Sequence, residues 1–322
     1  MDFFLIDMPL VDIIIVNWNS GDQLRQCIDS IRLYGSSHLG KCIVIDNGSE
    51  DGSANFLKNA RDVDLVLTGE NLGFGRACNL GADRGNSELV LFLNPDAILL
   101  PNSLAGAINV FQKSGAENIG IVGVQLIGED GELQRTCARF PTVTLMLAKC
   151  TGLATLIGGL NFHMQSWAHD RTRQVDHVIG AFYLIRRTLF EVLDGFDDRF
   201  FVYLEDLDLS YRASSLGYQS VFIAEAQAFH KGGGVSEQVK AHRLFYSLRS
   251  RILYAFKHFS MFSAIIVLLA TLLIEPISRV IFLLLRGRLS EIADLGRGYR
   301  MLWGWVFVHD LQGGSGDSHE DS

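Results

Sequence analysis

Short apolar runs alternate with amphipathic stretches in the first part of the chain. Runs of four to six residues rich in Val, Ile and Leu predict strands, at Val11–Val16, Cys42–Ile45, Asp64–Leu67, Leu89–Leu93 and Ile119–Val124. Between the first two runs Leu24, Ile28 and Ile31 recur at helical spacing, and Ser53 is placed to cap a second helix. Strands that alternate with helices indicate βαβ units, and therefore an α/β fold with a mainly parallel central sheet.

The second part of the chain is less regular. Phe140–Asp176 shows no clear periodicity, and Thr188–Leu193 predicts a helix. Phe259–Ile274 is a run of sixteen uncharged residues, which Glu275-Pro276 separates from a second apolar run at Ile277–Leu285. Sixteen helical residues extend about 24 Å, less than the roughly 30 Å of a hydrocarbon core. We expect three parts: an α/β domain over 1–234, a helical extension over 235–310, and a disordered low-complexity tail over 311–322.

Charge is distributed unevenly along the chain. Gln238–Arg300 carries ten Lys/Arg and three Asp/Glu, a net charge of +7, whereas the whole chain of 322 residues carries −8, so that the remainder carries −15. The acidic total argues against nucleic-acid binding. A basic and apolar C-terminal region indicates attachment to an anionic membrane surface, although a core helix packed on the preceding domain would give a similar pattern.

Two further features bear on the cellular compartment. The segment Met1–Leu10 lacks a basic stretch followed by an apolar one, so a signal peptide is not expected. The five cysteines form no CxxC pair and their number is odd, which favours reduced structural thiols in the cytosol over a disulfide framework.

Polar residues follow the predicted strands at their carboxyl ends. Asn17, Asp46, Asn71 and Asp96 all occupy such positions, where open α/β sheets bind ligands. The turn after Asp46 contains Gly48 and lets the backbone approach a ligand, but an ordinary Asx turn would show the same residue pattern. Gly73 and Arg76 flank a helix N-terminus that could meet a diphosphate, and a capped turn is the alternative.

Carboxylates and one histidine supply candidate chemistry. Asp96, in Asn94-Pro95-Asp96, suits Mg²⁺ or Mn²⁺ shared with substrate phosphates, or it is only a turn residue. On a helix Glu205 and Asp208 would share a face with Arg212, leaving Asp206 as the candidate general base, with its pKa raised by the neighbouring carboxylates. His230 precedes three glycines and is either a metal or phosphate ligand or a structural residue.

Taken together and in order, these segments resemble the family 2 inverting glycosyltransferases, in particular their rhamnosyltransferase-like branch. The matching segments span Val11 to Gly234 and are VDIIIVNWNS, VIDNGSEDGS, ENLGFGRACNLG, LFLNPDA, GAFYLIRR, GFDDRFFVYLEDLDLSYR and FHKGGG. The joint pattern is far more specific than any one of its pieces.

The resemblance implies a GT-A fold, in which a Rossmann-like nucleotide half joins an acceptor-binding half. It places Asn17 and Asp46 at the nucleotide, and Asn71, Gly73, Arg76 and Asn94 along the rest of the donor. It makes Asp96 the last residue of the DXD metal motif, with His230 on the same side. Glu205 and Asp206 would activate the acceptor, with Asp206 as base. Asn94 stands where DXD has its first Asp, which leaves the coordination of the Mg²⁺ or Mn²⁺ ion open.

The activity implied is transfer of a sugar, with inversion, from a nucleoside diphosphate to a saccharide or polyprenyl-linked acceptor of the cell surface. L-Rhamnose from its thymidine diphosphate is the first candidate donor. The enzyme would be cytoplasmic and peripheral on the inner face of the cell membrane, with self-association left open. Two alternatives are a nucleotidyltransferase, which should show a basic Gly-rich loop where this chain has NWNSGDQ, and an inactive scaffold of a polysaccharide assembly complex.

Overall fold

The computed structural model of the protein describes residues 10–164, 167–232 and 240–308. Three of the sequence predictions therefore fall outside the described residues: the N-terminal segment over residues 1–9, the domain boundary at 234, and the tail over 311–322. The chain forms two compact units. We call them the sheet unit, within 1–140, 162–198 and 205–235, and the helical unit, within 141–161, 199–204 and 236–322.

The elements follow one another in chain order. They are β1 (Val11–Asn17), α1 (Gln23–Tyr34), β2 (Leu39–Asp46), β3 (Asp64–Leu67), α2 (Phe74–Ala82), β4 (Leu89–Leu93), β5 (Ala97–Leu99), α3 (Ser103–Phe111), β6 (Ile119–Ile127), β7 (Leu133–Gln134), α4 (Val143–Cys150), α5 (Leu153–Leu156), β8 (Arg173–Val175), β9 (Phe182–Arg186), α6 (Arg187–Val192), α7 (Glu205–Ser215), β10 (Gln219–His230), α8 (Lys240–His258), α9 (Met261–Leu269), α10 (Glu275–Leu285) and α11 (Ile292–Val308).

All ten strands belong to one sheet of the sheet unit. Its main order is β3-β2-β1-β4-β9-β6-β10-β5, with β7 on β6 and β8 on β10. The pairs β2–β3, β1–β2, β1–β4 and β6–β10 are parallel, which confirms the predicted α/β class. β9 runs antiparallel between β4 and β6, so the sheet is mixed in its middle.

The continuous apolar character of the central strands follows from burial on both faces of the sheet. Every residue of β1 and β4 is buried, and the two faces pack into separate apolar clusters. Asp12 is the one charged residue of β1 and is fully buried. It accepts hydrogen bonds from Arg187 at 2.8 Å, Ser87 N–H at 2.8 Å and Lys41 N–H at 2.9 Å, which balance the loss of hydration.

One local expectation was wrong, and one segment left without elements contains three. Ser53 caps no helix: a single 3₁₀ turn over Asn55–Leu57 follows, and the Ser53 hydroxyl accepts a hydrogen bond from Asn17 instead. The irregular stretch Phe140–Asp176 contains α4, α5 and β8. Thr142 caps α4 by accepting a hydrogen bond from the Leu145 N–H at 3.3 Å. Helix α4 is too short for its apolar periodicity to be recognised in the sequence.

The helical unit is built from α4, α5 and α8–α11. Leu248 and Ile252 of α8 pack with Leu302 and Trp305 of α11 in its apolar core. α9, a π-helical turn and α10 form one 25-residue helix, Met261–Leu285, which we call the long apolar helix. The π turn at Ala270–Ile274 ends two residues before Pro276, and a wider turn accommodates a residue that has no N–H to donate.

By length and composition alone, the long apolar helix could cross a membrane. Its mean hydropathy is 2.2, and 28% of its most apolar stretch is buried. Among the residues that the structure describes it is the one helix that meets these criteria. Most of this stretch is therefore not buried, unlike the core helix that the sequence left as an alternative.

Candidate active site

The carboxyl ends of β1 and β2 meet at Asn17 and Asp46, which are register partners in parallel strands. The Asn17 amide donates to Asp46 Oδ1 at 2.8 Å, to Ser49 Oγ at 3.1 Å and to Ser53 Oγ at 2.8 Å. Its own oxygen accepts from Ser20. Asn17 is fully buried, and its side chain holds Asp46 and the following loop in place. Its contact with the nucleotide stays a prediction.

Asn47 joins the loop after β2 to the loop before α2. Its amide donates to Asn71 Oδ1 at 2.9 Å and its oxygen accepts from the Leu72 N–H at 2.9 Å. Asn71 Oδ1 also accepts from the Gly73 N–H at 3.0 Å. The two loops approach so closely that a Cβ on Gly48 would lie 2.7 Å from the carbonyl carbon of Glu70, and φ at Gly48 is +75°. Asn71 therefore holds the two loops together, and it is also a candidate for binding the sugar donor.

Gly73 and Arg76 begin α2. Gly73 is the residue before the first helical turn and has φ of 84°, which a side chain would disfavour. Arg76 is exposed on that turn and forms no ion pair with the part of the chain that the structure describes. The helix N-terminus and this guanidinium thus present positive charge to solvent beside the Asn47 loop.

Asp96 and His230 meet through pairing of β5 with β10, in which Ala97 faces His230. His230 Nε2 lies 3.5 Å from Asp96 Oδ1, and Gln134 fixes the ring by contacting its Nδ1 at 2.9 Å. Burial lowers the pKa of His230, although Asp96 opposes the shift, so the imidazole is neutral and able to bind a metal. A cavity of about 280 Å³ adjoins this pair and is lined by Asp96, Lys231 and Gln26, among others.

The donor atoms here fit an ion that substrate phosphates help to hold. Within the described residues no group of three His, Cys, Asp or Glu side chains could cage a metal. Asp96 and His230 would supply two ligands, and Mg²⁺ or Mn²⁺ would take the others from a diphosphate and water. Asn94 lies at the same strand end, and its carbonyl accepts from the Ala97 N–H at 3.0 Å in the turn that presents Asp96.

Asp206 lies on the first turn of α7 in a different environment. Its Oδ2 accepts from the Gly180 N–H at 2.8 Å and its Oδ1 from its neighbour Leu207 at 2.8 Å. His177 Nε2 lies 3.5 Å from Oδ2, while His177 Nδ1 contacts Ser210 Oγ at 3.0 Å. Gly180 is required for this approach, because a Cβ there would lie 3.0 Å from Oδ2.

The two adjacent carboxylates of α7 have opposite pKa shifts. Burial raises the pKa of Glu205 well above its ordinary value, and the charge of Asp206 adds to the effect. Burial also acts on Asp206, but the His177 imidazole and the N–H donors outweigh it and lower the pKa of Asp206. The expectation that Asp206 has a raised pKa was therefore wrong. The pKa shifts therefore keep Asp206 ionised at neutral pH and favour the protonated form of Glu205.

The third carboxylate of α7 is structural. Asp208 is fully buried and accepts from Arg212 Nε at 2.8 Å, the i,i+4 pair that the sequence predicted. Glu205 does not share that guanidinium. Its Oε2 is buried without a hydrogen-bond partner among the described residues.

Strand β9 brings the residues around Asp206 and the Asn94–Asp96 segment to the same end of the central strands. It starts where β4 ends, so that the Asn94 N–H donates to the Ala181 carbonyl at 3.1 Å. The preceding residue, Gly180, holds Asp206. Hence Asp206 lies close to the strand end that carries Asn94 and Asp96, although more than a hundred residues separate them in the sequence.

Three residues of this edge were missed by the sequence interpretation. His177 contacts Asp206, Asn47 ties two loops together, and Gln134 orients His230. A polar residue directly after Asp46 was the available signal for Asn47. For His177 the signal was a histidine directly before an apolar strand, and for Gln134 there was none.

A half of parallel strands with polar and carboxylate side chains at the strand ends is an arrangement found in GT-A glycosyltransferases. The family model described as glycosyl transferase family 2 matches residues 12–193, more than half of the chain. The chain belongs to glycosyl transferase family 2, and it is a glycosyltransferase.

Curated relatives agree with this assignment. An N-acetylglucosaminyl-diphospho-decaprenol L-rhamnosyltransferase of Mycobacterium tuberculosis is 26% identical over 240 residues, which cover 69% of this chain and 76% of the relative. A low-salt glycan biosynthesis hexosyltransferase of Haloferax volcanii is 25% identical over 207 residues, 63% of this chain and 61% of that protein.

Solved structures confirm the GT-A fold. A mannosyltransferase of Pyrobaculum calidifontis, in complex with GDP-Man and Mn²⁺, has a TM-score of 0.53 at 16% identity and covers 95% of this chain and 77% of its own. GalNAc-T7 with UDP, GalNAc and Mn²⁺ also has a TM-score of 0.53, at 14% identity, covering 78% of this chain and 51% of that one.

Replacing His177 with Phe is expected to move the acidic limb of log(kcat/KM) to higher pH. The imidazole helps to keep the pKa of Asp206 low, so its loss raises that pKa and leaves less carboxylate available at acidic pH. Activity should fall more at pH 6 than at pH 8. His177→Gln should restore part of the activity, because an amide can still donate to Oδ2.

The matched control is His242→Phe, an exposed histidine of α8, which should leave the profile unchanged. A uniform loss of kcat at all pH values, with the acidic limb in place, would mean that His177 only supports packing.

Proposed function

We propose that this enzyme transfers a hexose, with inversion, from a nucleoside diphosphate to a saccharide or lipid-linked acceptor in cell-surface polysaccharide synthesis. L-Rhamnose carried on thymidine diphosphate is the first candidate donor. Support for the sugar and the acceptor comes from the Mycobacterium tuberculosis relative, whose name specifies L-rhamnosyl transfer to N-acetylglucosaminyl-diphospho-decaprenol.

One observation carries the proposed chemistry: an ionised, partly buried carboxylate, Asp206, lies beside the strand end that bears the candidate metal ligand. Asp206 is held through Gly180, and its neighbour in the chain, Ala181, is bonded to Asn94. An acceptor hydroxyl at Asp206 would therefore lie near a sugar whose diphosphate is bound by the Asp96 segment. This arrangement suits a direct displacement, in which base and leaving group lie on opposite sides of the reacting carbon.

In the proposed mechanism Asp206 accepts the proton of the acceptor hydroxyl. The hydroxyl oxygen then forms a bond to the anomeric carbon while the bond from that carbon to the diphosphate oxygen breaks, and the configuration inverts. Two N–H donors and His177 hold the Asp206 carboxylate in a single orientation. Arg76 and the α2 N-terminus favour the negative charge of the departing nucleoside diphosphate.

A divalent cation would supply further neutralisation of the diphosphate when bound. Asp96 and His230 are the residues that would hold it, and the GT-A neighbours whose structures contain Mn²⁺ favour such an ion here as well. Burial raises the pKa of Glu205, and its Oε2 has no hydrogen-bond partner among the described residues, so this side chain would form a hydrogen bond with the acceptor sugar.

Binding of the donor is expected to depend on metal through Asp96. In a thermal-shift screen of nucleotide sugars, thymidine-diphosphate rhamnose with Mn²⁺ should stabilise the wild-type chain more than the donor with EDTA. Asp96→Ala should lose that metal-dependent increment, with apparent Mn²⁺ affinity reduced about tenfold or more, because one of two protein ligands is removed.

Asp83→Ala is the control, since Asp83 is an exposed carboxylate at the end of α2. It should respond to donor and Mn²⁺ like the wild type. Stabilisation by a different nucleotide sugar alone would replace rhamnose as the donor, and stabilisation by none would contradict the proposed function.

We also propose that the enzyme acts in the cytoplasm, peripherally attached to the inner face of the cell membrane. A lipid-linked acceptor has its reactive sugar at the bilayer surface, so attachment would bring the enzyme to it. The basic and apolar composition of residues 238–300 supports this location.

A further inference from the structure

One face of the long apolar helix is exposed and consists of large apolar side chains. They recur every three or four residues, with exposed fractions from 42% to 75%, and they are Phe262, Ile265, Leu269, Leu273, Ile277 and Ile281. We call this row the apolar stripe. It extends for about 28 Å at 1.5 Å per residue, and spacing of this kind keeps one row on one side of a helix. Scattered apolar residues on a protein surface are ordinary, but a contiguous row of this length indicates an interaction surface.

The opposite face of the same helix is buried in the interior of the helical unit. Ala264, Val267 and Thr271 are fully buried. Glu275 is 1% exposed and is bonded to Arg251 of α8 and to Arg279. This face therefore contains an ion-paired cluster that requires the charged helix α8 beside it.

The burial of this face and its ion pair with α8 argue against a membrane-spanning orientation. If the helix crossed a bilayer, α8 would have to enter the hydrocarbon with it in order to keep Arg251 on Glu275. Helix α8 also carries Lys240, Arg243, Arg249 and Lys257, and it fails the hydropathy test that the long apolar helix passes. Charged side chains at the bilayer centre are strongly disfavoured. If the helix lies in the plane of the membrane interface, the apolar stripe contacts lipid while the opposite face keeps its ion pairs inside the helical unit.

Charge at the end of the stripe fits an anionic lipid surface. Arg286 and Arg288 directly follow α10 and are exposed. The Arg286 guanidinium stacks over Phe282 at 4.1 Å, so its position is fixed at the border of the apolar row. An apolar face edged by arginines is the arrangement by which interfacial helices bind acidic bilayers.

We infer that the long apolar helix lies in the plane of a phospholipid bilayer, with the apolar stripe among the acyl chains and Arg286 and Arg288 at the lipid phosphates. This inference rests on the proposed membrane attachment and specifies the surface that makes it. The inward half of the helix keeps the Glu275 cluster away from lipid.

Vesicle flotation of the full chain tests the inference. The wild type should bind vesicles of equal parts phosphatidylethanolamine and phosphatidylglycerol, and Leu273→Glu with Ile277→Glu should weaken binding about tenfold or more. The control, Leu33→Glu with Leu216→Glu, adds the same charge at exposed leucines of the sheet unit and should bind like the wild type. Arg286→Ala with Arg288→Ala should weaken binding to phosphatidylglycerol vesicles by about fivefold per arginine, and should not affect neutral vesicles.

A depth measurement separates the in-plane from the spanning orientation. All five native cysteines are buried, so a thiol-reactive fluorophore will label a cysteine introduced at Phe262, Leu273 or Ile281. Lying in the plane, the three labels should enter the bilayer to similar depth. A label at Leu273 that is much deeper than those at both ends would overturn the inference in favour of a spanning helix.

The remaining outcomes identify which proposal fails. Absence of vesicle binding, with donor binding intact, would contradict the membrane attachment and leave the glycosyltransferase assignment standing. Binding that survives the Glu substitutions would show that another surface meets the lipid. A concentration-dependent dimer that the Glu substitutions abolish, without vesicle binding, would assign the stripe to a second copy of this chain.

Discussion

Replacing Asp206 with Asn is expected to reduce kcat by about 10²- to 10⁴-fold, with the dissociation constant of the donor within a few-fold of wild type. Asn keeps the size and shape of the side chain but cannot take a proton from the acceptor. Asp206 contacts Gly180, Leu207 and His177 in the described structure and none of the residues proposed to hold the donor, which is why donor affinity should persist.

The same substitution should also lower stability slightly. Both oxygens of Asp206 accept backbone N–H groups, and an amide has one oxygen to offer, so one buried donor loses its acceptor. Such a loss amounts to about 1–3 kcal/mol. Thermal unfolding recorded beside kcat separates this effect from chemistry.

Asp194→Asn is the matched control, because Asp194 is an exposed carboxylate of the same unit with φ of 58°, a conformation that Asn tolerates well. It should retain full activity. If Asp206→Asn lost donor binding in parallel with kcat, Asp206 would be a donor ligand or a folding determinant and its assignment as base would fail.

The second large effect is expected in the helical unit, where Glu275→Gln should destabilise the fold by about 3–5 kcal/mol. The Glu275 carboxylate accepts from Arg251, which is 4% exposed, and from Arg279 at 2.8 Å. Removing the negative charge leaves a buried guanidinium with no counter-ion. Within the described residues its remaining hydrogen bond is to Cys150 Sγ at 3.4 Å. Chemical denaturation followed by helical circular dichroism measures the change.

Two companion variants make this prediction specific. Glu291→Gln removes a partly exposed carboxylate that pairs with Arg288 at 3.6 Å, and should change stability by less than about 1 kcal/mol. Replacing both buried partners, with Arg251→Met and Glu275→Leu, should recover most of the lost stability, because no uncompensated charge remains. A fold that tolerates Glu275→Gln without loss would contradict the role of the pair.

The pH dependence of this cluster follows from its pKa. Burial alone would raise the pKa of Glu275, but Arg251 and Arg279 lower it from 4.5 to about 2. Because the folded value is depressed, the stabilisation is fully present above the unfolded value of 4.5. It is lost as the pH falls from there to about 2. Glu275→Gln should flatten the acid dependence of unfolding in that window.

Local patterns in the sequence accounted for the first half of the sheet. β1, β3 and β4 were predicted within one residue at each end, since a strand buried on both faces has a continuous apolar run. The pairing of β5 with β10 could not be found in this way. It joins residues more than 120 positions apart, and it alone places His230 beside Asp96.

In the candidate site, too, local sequence predicted some features and contacts between distant segments decided the others. Asp206 stood out as a carboxylate without a partner on its own helix, and the structure gives Arg212 to Asp208. Its pKa was predicted in the wrong direction, because His177 and Gly180 come from a separate segment. Asn17 was recognised as a strand-end residue, but only the folded loops show that its amide is consumed by Asp46, Ser49 and Ser53.

By itself the sequence determined the α/β class, the strand ends that carry polar residues, and the apolar, basic character of residues 238–300. These properties follow from local periodicity and composition, which depend on neighbours in the chain. The tertiary structure decided which carboxylate is ionised, which residues meet at the Asn94 strand end, and which face of the long apolar helix is exposed. Those properties depend on burial and on charges from distant segments, and both exist only once the chain has folded.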